Sequence, residues 1–298
     1  MSYKEERKGE WYVTSAAALG GFFPIVIVFT YASVSSLVSL AWSTLFATAL
    51  FAILLTYRAR WTELKDPIVW KYGFFVAFFI GILFYAFYFI GLTYTTPGNA
   101  SIIVLLQILT SFLFFNIYRK ERFSLEYKLG AVLMVMGALV ILAPNFRGIN
   151  IGDFIILGST LVAPIGNYFQ QEARKIASTE TVMFLRSALS AAVLFLIIYL
   201  FNIAAEGADL RAVLPFLILN GVILLGFEKV LWIEGIHRIS VTKATALISF
   251  SPLVTLVFAW MLLHQAPTLW QLLSLIPFML GILFLTDQVR IFKGSGKT

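Results

Sequence analysis

Two ionisable residues stand side by side in the middle of an apolar stretch. Residues 213–236 are mostly apolar but carry Glu228 and Lys229 near their centre. A helix of about 20 apolar residues crosses the hydrocarbon core of a bilayer, where an ionised side chain costs roughly 2.5–3.5 kcal/mol. Such a side chain is retained when it faces a protein interior or a water-filled cavity. The pair therefore predicts a polar site inside a membrane protein.

Each of the two charges has a functional and a structural interpretation. As neighbours on a helix they point about 100° apart, so we expect them not to neutralise each other. Glu228 binds a substrate ammonium or takes up a proton in the functional interpretation, and it pairs with Arg186, Lys229 or the surroundings of Glu234 in the structural one. Lys229 binds a substrate carboxylate, or its stem extends so that the ammonium reaches the interface.

Tyr85 and Tyr88 form a second candidate group. They are three positions apart, so they share one face of a helix at mid-depth. Tyrosine prefers the interfacial belts of a membrane, so two at the centre indicate an interior cavity, with aromatic packing as the alternative. A shift of 144 residues places Tyr85 on Lys229 and Tyr88 on Trp232. Both halves of the chain thus put their least lipid-like residues at the same place.

Other polar residues inside apolar runs extend this site. Hydrogen bonding between helices, worth about 0.6 kcal/mol on average, is the competing explanation for each of them. The predicted substrate-binding residues are Tyr85, Tyr88, Gln107, Asn167, Tyr168, Glu228, Lys229, Trp232 and Ser251, with Arg186 and Glu228 as the predicted ion pair or coupling groups.

The composition indicates an all-α integral membrane protein. Of the 298 residues, 60% are hydrophobic and 12% are charged, against about 25% charged in a soluble domain. The apolar runs are continuous and about 20 residues long, which favours helices over the alternating strands of a barrel. We predict ten transmembrane helices in one integral unit: 11–31, 34–56, 72–94, 97–118, 127–143, 152–171, 181–202, 213–236, 241–263 and 268–287.

The distribution of basic residues predicts the orientation. The chain has 22 Lys and Arg residues and a net charge of +7. All but Arg147, Arg186, Arg211 and Lys229 fall in segments on one side of the predicted spans. By the positive-inside rule both termini are cytoplasmic, and the protein is integral to the cytoplasmic (plasma) membrane, the inner membrane of the cell. This placement explains the positive charge without a nucleic-acid partner.

The residues argue against several other classes of protein. The chain has no cysteine, so it has neither disulfides nor thiolate metal sites. Its two histidines, His237 and His264, stand at span ends without a carboxylate cluster, so we expect no metal and no cofactor. No phosphate-binding loop or catalytic constellation is recognisable, so we expect neither an enzyme nor an ATP-driven pump.

The chain repeats itself. The shift of 144 residues superposes Gly91 on Gly235 and Ala100 on Ala244, and Gly152-Asp153-Phe154 answers Gly9-Glu10-Trp11 at a shift of 143. We therefore predict two five-helix repeats, residues 1–146 and 147–298. Because five is odd, the copies insert with opposite orientation. Inverted repeats of this kind are typical of alternating-access transporters, whose substrate site lies near the midplane between the halves.

On these features the chain resembles the EamA-type transporters of the drug/metabolite transporter superfamily across nearly its whole length. The residues that carry the resemblance are Gly91-Leu92-Thr93-Tyr94-Thr95 with Asn99-Ala100-Ser101, Gly235-Ile236-His237-Arg238-Ile239 with Lys243-Ala244-Thr245-Ala246-Leu247, Ser251-Pro252-Leu253, and the turn Lys120-Glu121-Arg122. Ten spans in two inverted halves are similar to that family's fold. The resemblance implies export or uptake of small organic metabolites, amino acids among them, and a central cavity among spans one, three, four, six, eight and nine.

Three positions depart from the pattern of that family. Its proline in the fourth span is Ile108 here, its acidic turn residue in the second half is Gln265, and its second-span arginine is Trp42. Arg186, the partner of Trp42 by the 144-residue shift, keeps the arginine. The two halves have therefore diverged.

The sequence thus predicts a secondary active or facilitative transporter that moves a small organic metabolite by alternating access. An amino acid or similar zwitterion is favoured, because one acid and one base lie together with aromatic residues at mid-depth. The predicted partners are this small-molecule substrate, the lipid bilayer and, for coupling, protons. One alternative is a flippase for a lipid or lipid-linked carrier, with Arg186, Lys229 and Arg238 as a basic rim. Another is a non-transporting membrane subunit or receptor, which would gain nothing from charges in the middle of the membrane. The sequence makes no prediction of oligomeric state.

Overall fold

The computed structural model describes residues 3–119, 125–143, 150–203, 209–236, 238–239, 244 and 247–285, which are helices and short connections without a β-strand. The boundary predicted at 146/147, the turn 120–122, and His237, Lys243, Thr245 and Ala246 lie outside these residues. The helices are α1 (Tyr3–Thr30), α2 (Ser36–Tyr57), α3 (Pro67–Leu92), α4 (Pro97–Ile103), α5 (Leu106–Arg119), α6 (Leu125–Leu142), α7 (Ile151–Arg174), α8 (Thr179–Leu200), α9 (210–236), α10 (Ser251–Leu263) and α11 (Leu269–Leu285).

The all-α membrane architecture is confirmed. Within the described residues, seven helices are long and apolar enough to cross a membrane: α1, α2, α3, α4 with α5, α7, α8 and α9. Three shorter apolar helices, Lys128–Leu142, Ser251–Leu263 and Leu269–Phe284, fall in the predicted fifth, ninth and tenth spans. The number of ten spans therefore stays a prediction.

Short polar residues start the helices. Ser35 accepts a hydrogen bond from the backbone N–H of Val38 at the start of α2, and Ser178 accepts one from Thr181 at the start of α8. Asp66 and Thr96 act in the same way before α3 and α4, where a proline occupies the first helical turn. These caps satisfy N–H groups that have no partner within the helix, and they fix where each chain segment enters the bundle.

The helices of the two halves pack in a repeated pattern. The first repeat comprises α1–α6 and the second α7–α11. α1 packs against α9 and α10, and the corresponding α7 packs against α3 and α5. α2 packs against α8, and α6 against α11, so each of these helices meets its own counterpart.

Glycine contacts repeat at the same spacing. Gly91 lies against Ile156 and the carbonyl of Gly152, while Gly235 lies against Val13 and the carbonyl of Gly9. Each residue of the second contact lies 143 or 144 positions from its counterpart in the first, as in the sequence repeat. At both places a side chain on the glycine would overlap its neighbour, so two backbones meet directly.

The third helix of each repeat contains a π-helical segment. It covers Ala77–Phe84 in α3 and Leu219–Phe227 in α9, and α-helix resumes at Tyr85 and at Glu228, 143 residues apart. π-Helical turns are rare and occur frequently at functional sites. The backbone irregularity in each repeat therefore ends at a residue of the predicted site.

We name the two ends of the bundle by the residues that close them. The terminal end, where α1 begins, contains Glu5, Arg58, Glu63, Glu180 and Arg238. The distal end contains Thr95, Asn99, Asp153 and Gln271. α1 and α2 run antiparallel through a turn of five residues, so the end of α2 returns to the terminal end.

Candidate functional site

A cluster of charged and aromatic side chains occupies the middle of the bundle. Tyr85 follows the π-helical segment of α3, Glu228 and Lys229 follow that of α9, and Arg186 comes from α8. Tyr85, Arg186 and Glu228 are 5%, 4% and 4% exposed. Lys229 lies within electrostatic range of both Tyr85 and Arg186. Four predicted residues thus come together, one of them from α8, the seventh predicted span, which the family resemblance does not include.

Glu228 and Lys229 form an ion pair with each other. Lys229 Nζ lies 2.6 Å from Glu228 Oε2, although Oε2 accepts no hydrogen bond. The expectation that the two charges do not neutralise each other is wrong. Their Cα–Cβ bonds diverge, but the flexible stem of lysine allows its ammonium to reach back to the preceding carboxylate.

Arg186 interacts with a carbonyl and a ring. Its Nη2 donates a hydrogen bond of 3.1 Å to the carbonyl of Leu225, in the π-helical segment of α9. Its guanidinium carbon lies 5.9 Å from the centre of the Tyr85 ring, within cation–π range. In this structure the partner of Glu228 is Lys229, and Arg186 and Glu228 form no ion pair with each other.

Aromatic rings surround Tyr85 and Tyr88. Phe23 of α1 lies 5.9 Å from Tyr85 and 5.4 Å from Tyr88 between ring centres. Phe84 also contacts both tyrosines. Tyr88 is 3% exposed, so the two tyrosines belong to an aromatic layer between α1 and α3.

Gly20 of α1 faces Glu228 and Ser251. A side chain on Gly20 would begin 3.5 Å from Ser251 Oγ and 3.9 Å from Glu228 Oε1. Glu228 thus has one oxygen at the Lys229 ammonium and the other near Gly20 and Ser251. The missing side chain of Gly20 leaves space beside this second oxygen.

Gln107 and Ser251 follow interruptions in their helices. The fourth span breaks at Val104 and Leu105 before α5, and the ninth breaks at Ser249 and Phe250 before α10. Discontinuous helices near the midplane are the best sequence-level indicator of a transporter binding site. Ser251 lies near Gly20, which also faces Glu228, whereas the carbonyl of Gln107 accepts a hydrogen bond from Thr110 within α5.

Asn167 and Tyr168 lie elsewhere, on α7. The Tyr168 ring contacts Phe169, at 5.4 Å, and Phe114 of α5, at 6.5 Å. Asn167 is half-buried. Trp232 is also half-buried and packs against the hydrophobic core. Asn167 and Tyr168 thus lie on α7, which contributes none of the four clustered residues, and Trp232 lies one helical turn after Glu228 on α9.

Two cavities bracket the aromatic layer. The inner cavity leaves about 10 Å³ of free space, roughly room for one water molecule, and is lined by residues of α2, α3, α8 and α9: Thr44, Ala47, Gly81, Tyr85, Arg186, Ser187 and Leu225. The larger cavity, of about 420 Å³, opens near the distal end and is lined by Val28, Tyr31, Val34, Ser35, Ser36, Leu92, Thr93, Thr95, Pro97 and Gln265. We call it the vestibule. Its volume falls within the range of small-molecule sites.

A buried carboxylate organises the distal end. Asp153, at the start of α7, is 0% exposed and accepts hydrogen bonds from Thr95 Oγ1 and, at 3.1 Å, from Asn99 Nδ2. Gln271 of α11 donates to Asn99 Oδ1 at 2.7 Å. In the sequence, Asp153 stands out only as part of the repeat. Its position one residue into an apolar span was the signal that it is buried and bonded.

Ion pairs hold the terminal end. Arg238 contacts Glu5 of α1 at 3.3 Å and Glu234 of α9 at 2.6 Å. Arg58 pairs with Glu180 at 2.8 Å, which joins the end of α2 to the start of α8. Both ion-pair groups connect the first repeat to the second. Among the described residues, no group of three His, Cys, Asp or Glu side chains converges to hold a metal ion.

Comparison with known proteins agrees with this architecture. The EamA-like transporter family matches the chain twice, at residues 7–143 and 150–287. Two proteins of Bacillus subtilis (strain 168) are similar: the uncharacterized transporter YoaV, 21% identical over 75% of this chain and 77% of its own, and the uncharacterized transporter YyaM, 24% identical over 87% of each. A protein crystal structure with 17% identity superposes with a TM-score of 0.71, over 96% of this chain and 100% of the other, which shows the shared fold. The chain belongs to the EamA-like transporter family, within the drug/metabolite transporter superfamily.

Proposed function

We propose that this transporter moves a small organic metabolite, an amino acid or similar zwitterion, across the cytoplasmic membrane. The mechanism is secondary active or facilitative alternating access between two inverted five-helix repeats, with both termini cytoplasmic. The substrate site lies at the buried cluster of Tyr85, Arg186, Glu228 and Lys229, beside Tyr88 and Ser251. Gln107, Asn167, Tyr168 and Trp232 contact the substrate only in other states of the cycle.

One observation carries this proposal. Charges of both signs are buried at mid-bundle, where helices of both repeats depart from regular α-helix. A membrane scaffold gains nothing from such charges, which are expensive in the bilayer. A zwitterion presents one charge of each sign and matches a site that contains both.

The cavities support a direction of opening. The vestibule reaches from the distal end to Tyr31, whose hydroxyl donates to the carbonyl of Phe89 at 2.6 Å. Ion pairs of Arg238 and Arg58 join the repeats at the terminal end. In this state the substrate path begins at the distal end, and the aromatic layer separates it from the charged cluster.

Glu228 is the proposed proton-coupling residue. Its carboxylate is buried, and Lys229 neutralises it in this state. When Lys229 moves to another partner, the carboxylate becomes able to take up a proton or the substrate ammonium. The flippase alternative has no comparable support, because Arg186 is buried and Arg238 is engaged in ion pairs at the terminal end.

Uptake into proteoliposomes tests this function. The purified chain is reconstituted and offered labelled amino acids, amines, sugars and nucleosides, with protein-free liposomes as the blank. We expect saturable uptake of at least one solute, and the same solute raises the melting temperature of the wild type but not of the Tyr88→Ala variant. Absence of uptake for the whole panel, combined with flipping of fluorescent phospholipids, contradicts the proposal and favours the flippase.

A further inference from the structure

Arg186 is a buried cation with unused donors. A guanidinium carries five N–H donors in a planar fork that matches a carboxylate. Arg186 is 4% exposed, and its guanidinium donates a hydrogen bond to one backbone carbonyl, that of Leu225. A buried charge with a single neutral acceptor is costly, so the site is built for an additional acceptor.

The charged cluster carries an excess positive charge. Arg186 and Lys229 contribute two positive charges and Glu228 one negative charge, and the 2.6 Å contact assigns Glu228 to Lys229. The other buried carboxylates of the described residues lie elsewhere: Glu180 pairs with Arg58, Asp153 lies at the distal end, and Glu126 lies in the first turn of α6. The positive charge that remains is that of Arg186.

Polar groups and space accompany this charge. Ser187 Oγ is buried and has no hydrogen-bond partner, and Ser187 lines the inner cavity together with Arg186 and Tyr85. The cavity lies between the two π-helical segments, since Gly81 and Leu225 are its walls from α3 and α9. Its 10 Å³ are too small for a carboxylate, so ligand entry requires the two segments to separate.

We propose that Arg186 binds the carboxylate of the transported solute, with Ser187 Oγ as a second donor. The ammonium of the same solute then faces Glu228, and Lys229 is the counterion of Glu228 when the site is empty. The substrate class is therefore small carboxylates, α-amino acids among them, and amines or amides without a carboxylate are excluded. This inference rests on the proposed transport function.

The test compares solutes that differ only at the carboxylate. Wild-type proteoliposomes are offered labelled phenylalanine, leucine and threonine, with phenylalaninamide, leucinamide and threoninamide as unlabelled competitors. We expect uptake of at least one acid, and competition by its amide at least about tenfold weaker than by the unlabelled acid, the loss expected for a missing charge-assisted hydrogen bond. This competition experiment uses only the wild-type protein, so it tests the carboxylate assignment even if the Arg186 variants fail to fold.

Variants of Arg186 and Ser187 test whether these residues are the ones that bind the carboxylate. Arg186→Gln is expected to raise the half-saturation concentration for the acid by at least about tenfold, while competition by the amide changes little. Arg186→Lys keeps the charge but loses the fork, and Ser187→Ala loses one donor, so both give smaller increases. The matched control is Arg174→Gln, because Arg174 donates to the carbonyl of Ala177 at the end of α7, outside the cluster.

The possible results of this test separate the carboxylate assignment from the transport function. Equal competition by acid and amide, or an unchanged half-saturation in folded Arg186→Gln, overturns the carboxylate assignment and leaves the transport function standing. Uptake restricted to amines, sugars or nucleosides in the full panel does the same. If the wild type moves no solute of that panel, the transport function fails and the assignment fails with it.

Discussion

Gly20 and Glu228 face each other across the contact between α1 and α9. A Cβ atom on Gly20 would lie 3.9 Å from Glu228 Oε1, so the glycine leaves the space beside this oxygen open. The next residue, Gly21, is different: a side chain there would begin 2.5 Å from Cβ of Val254. One glycine therefore borders the site, and its neighbour allows α1 and α10 to pack.

Substitution of the two glycines should separate function from stability. Gly20→Ala places a methyl group at ordinary contact distance from Ser251 and Glu228, so we expect a melting temperature near that of the wild type but slower uptake. Gly21→Ala overlaps Val254, and overpacking of this kind costs about 1–3 kcal/mol. Thermal unfolding and proteoliposome uptake measure the two effects. Wild-type uptake in Gly20→Ala would show that the space beside Glu228 is not used.

Glu228→Gln should remove the pH dependence of uptake. The amide cannot exchange a proton, and the variant leaves Lys229 without its counterion. We therefore also expect lower stability, but by less than the roughly 3–5 kcal/mol of a fully buried broken pair, because the Lys229 side chain is 32% exposed. Uptake rates at a series of pH values measure the profile, and thermal unfolding measures the stability.

Glu172→Gln is the control for this prediction. Glu172 pairs with Lys175 at 2.6 Å on the exposed end of α7, where an ion pair contributes about 0–1 kcal/mol. We expect it to leave both the profile and the stability unchanged. A wild-type pH profile in Glu228→Gln would rule out proton coupling through Glu228.

Thr95→Val should destabilise the distal end. The substitution keeps the shape of the side chain but removes the hydroxyl that donates to buried Asp153. Loss of one donor to a buried charged group costs about 1–3 kcal/mol. Thr93→Val is the matched control, since the exposed Thr93 bonds only to the carbonyl of Ile90 within its own helix end. Chemical unfolding in detergent measures both variants, and equal stabilities would show that Asp153 does not depend on Thr95.

Glu63 should make stability depend on pH in the acid range. Partial burial acts to raise the pKa of its carboxyl, but hydrogen bonds from Thr181 and Ser178 outweigh burial and hold the pKa below the ordinary value of 4.5. A carboxyl whose pKa is lower in the folded state stabilises the fold above the unfolded-state pKa, and this contribution disappears as the pH falls through the folded-state pKa. Glu63 Oε2 accepts from Thr181 Oγ1 and from the Ser178 N–H, each at 2.7 Å.

We expect Glu63→Gln to lower the melting temperature at pH 7 by a few degrees, roughly 1–2 kcal/mol for hydrogen bonds to a charged acceptor. The difference from the wild type should shrink as the pH falls below 4.5. Thermal unfolding at several pH values measures it. A difference that is constant or grows in acid would contradict the assigned role of Glu63.

Single cysteines should report the proposed orientation. The chain contains no cysteine, so Thr62→Cys and Ala266→Cys each introduce one thiol, both at exposed positions, near the terminal and distal ends. With cytoplasmic termini, a membrane-impermeant maleimide labels Ala266→Cys in intact cells and Thr62→Cys only after permeabilisation. The reverse pattern would invert the topology.

The helices could be predicted well because lipid imposes one simple pattern. An apolar run of about 20 residues is enough to place a span, and the start of α2 at Ser36 falls two residues from the predicted one. The π-helical segments were not predictable. Residues 77–84 and 219–227 are apolar nearly all round, so no periodicity distinguishes a π-turn from an α-turn there.

The burial of the charged residues was predictable from the sequence, but the way they pair was not. Burial of Glu228, Arg186 and Tyr85 follows from the cost of placing them in lipid. The pairing of the charges depends on the rotamers of long side chains, which cannot be read from the sequence. In the structure, Lys229 folds back on Glu228, and Arg186 bonds to the carbonyl of Leu225. The number of ten spans and the division at 146/147 stay predictions.

The matching π-helical segments also show where the two repeats differ chemically. α-Helix resumes after them at Tyr85 in the first repeat and at Glu228 in the second, so equivalent points of the backbone carry an aromatic ring and a carboxylate. All three charged residues of the cluster, Arg186, Glu228 and Lys229, come from α8 and α9. The two halves of the bundle therefore resemble each other in backbone, while the charge at its centre is supplied from one side alone.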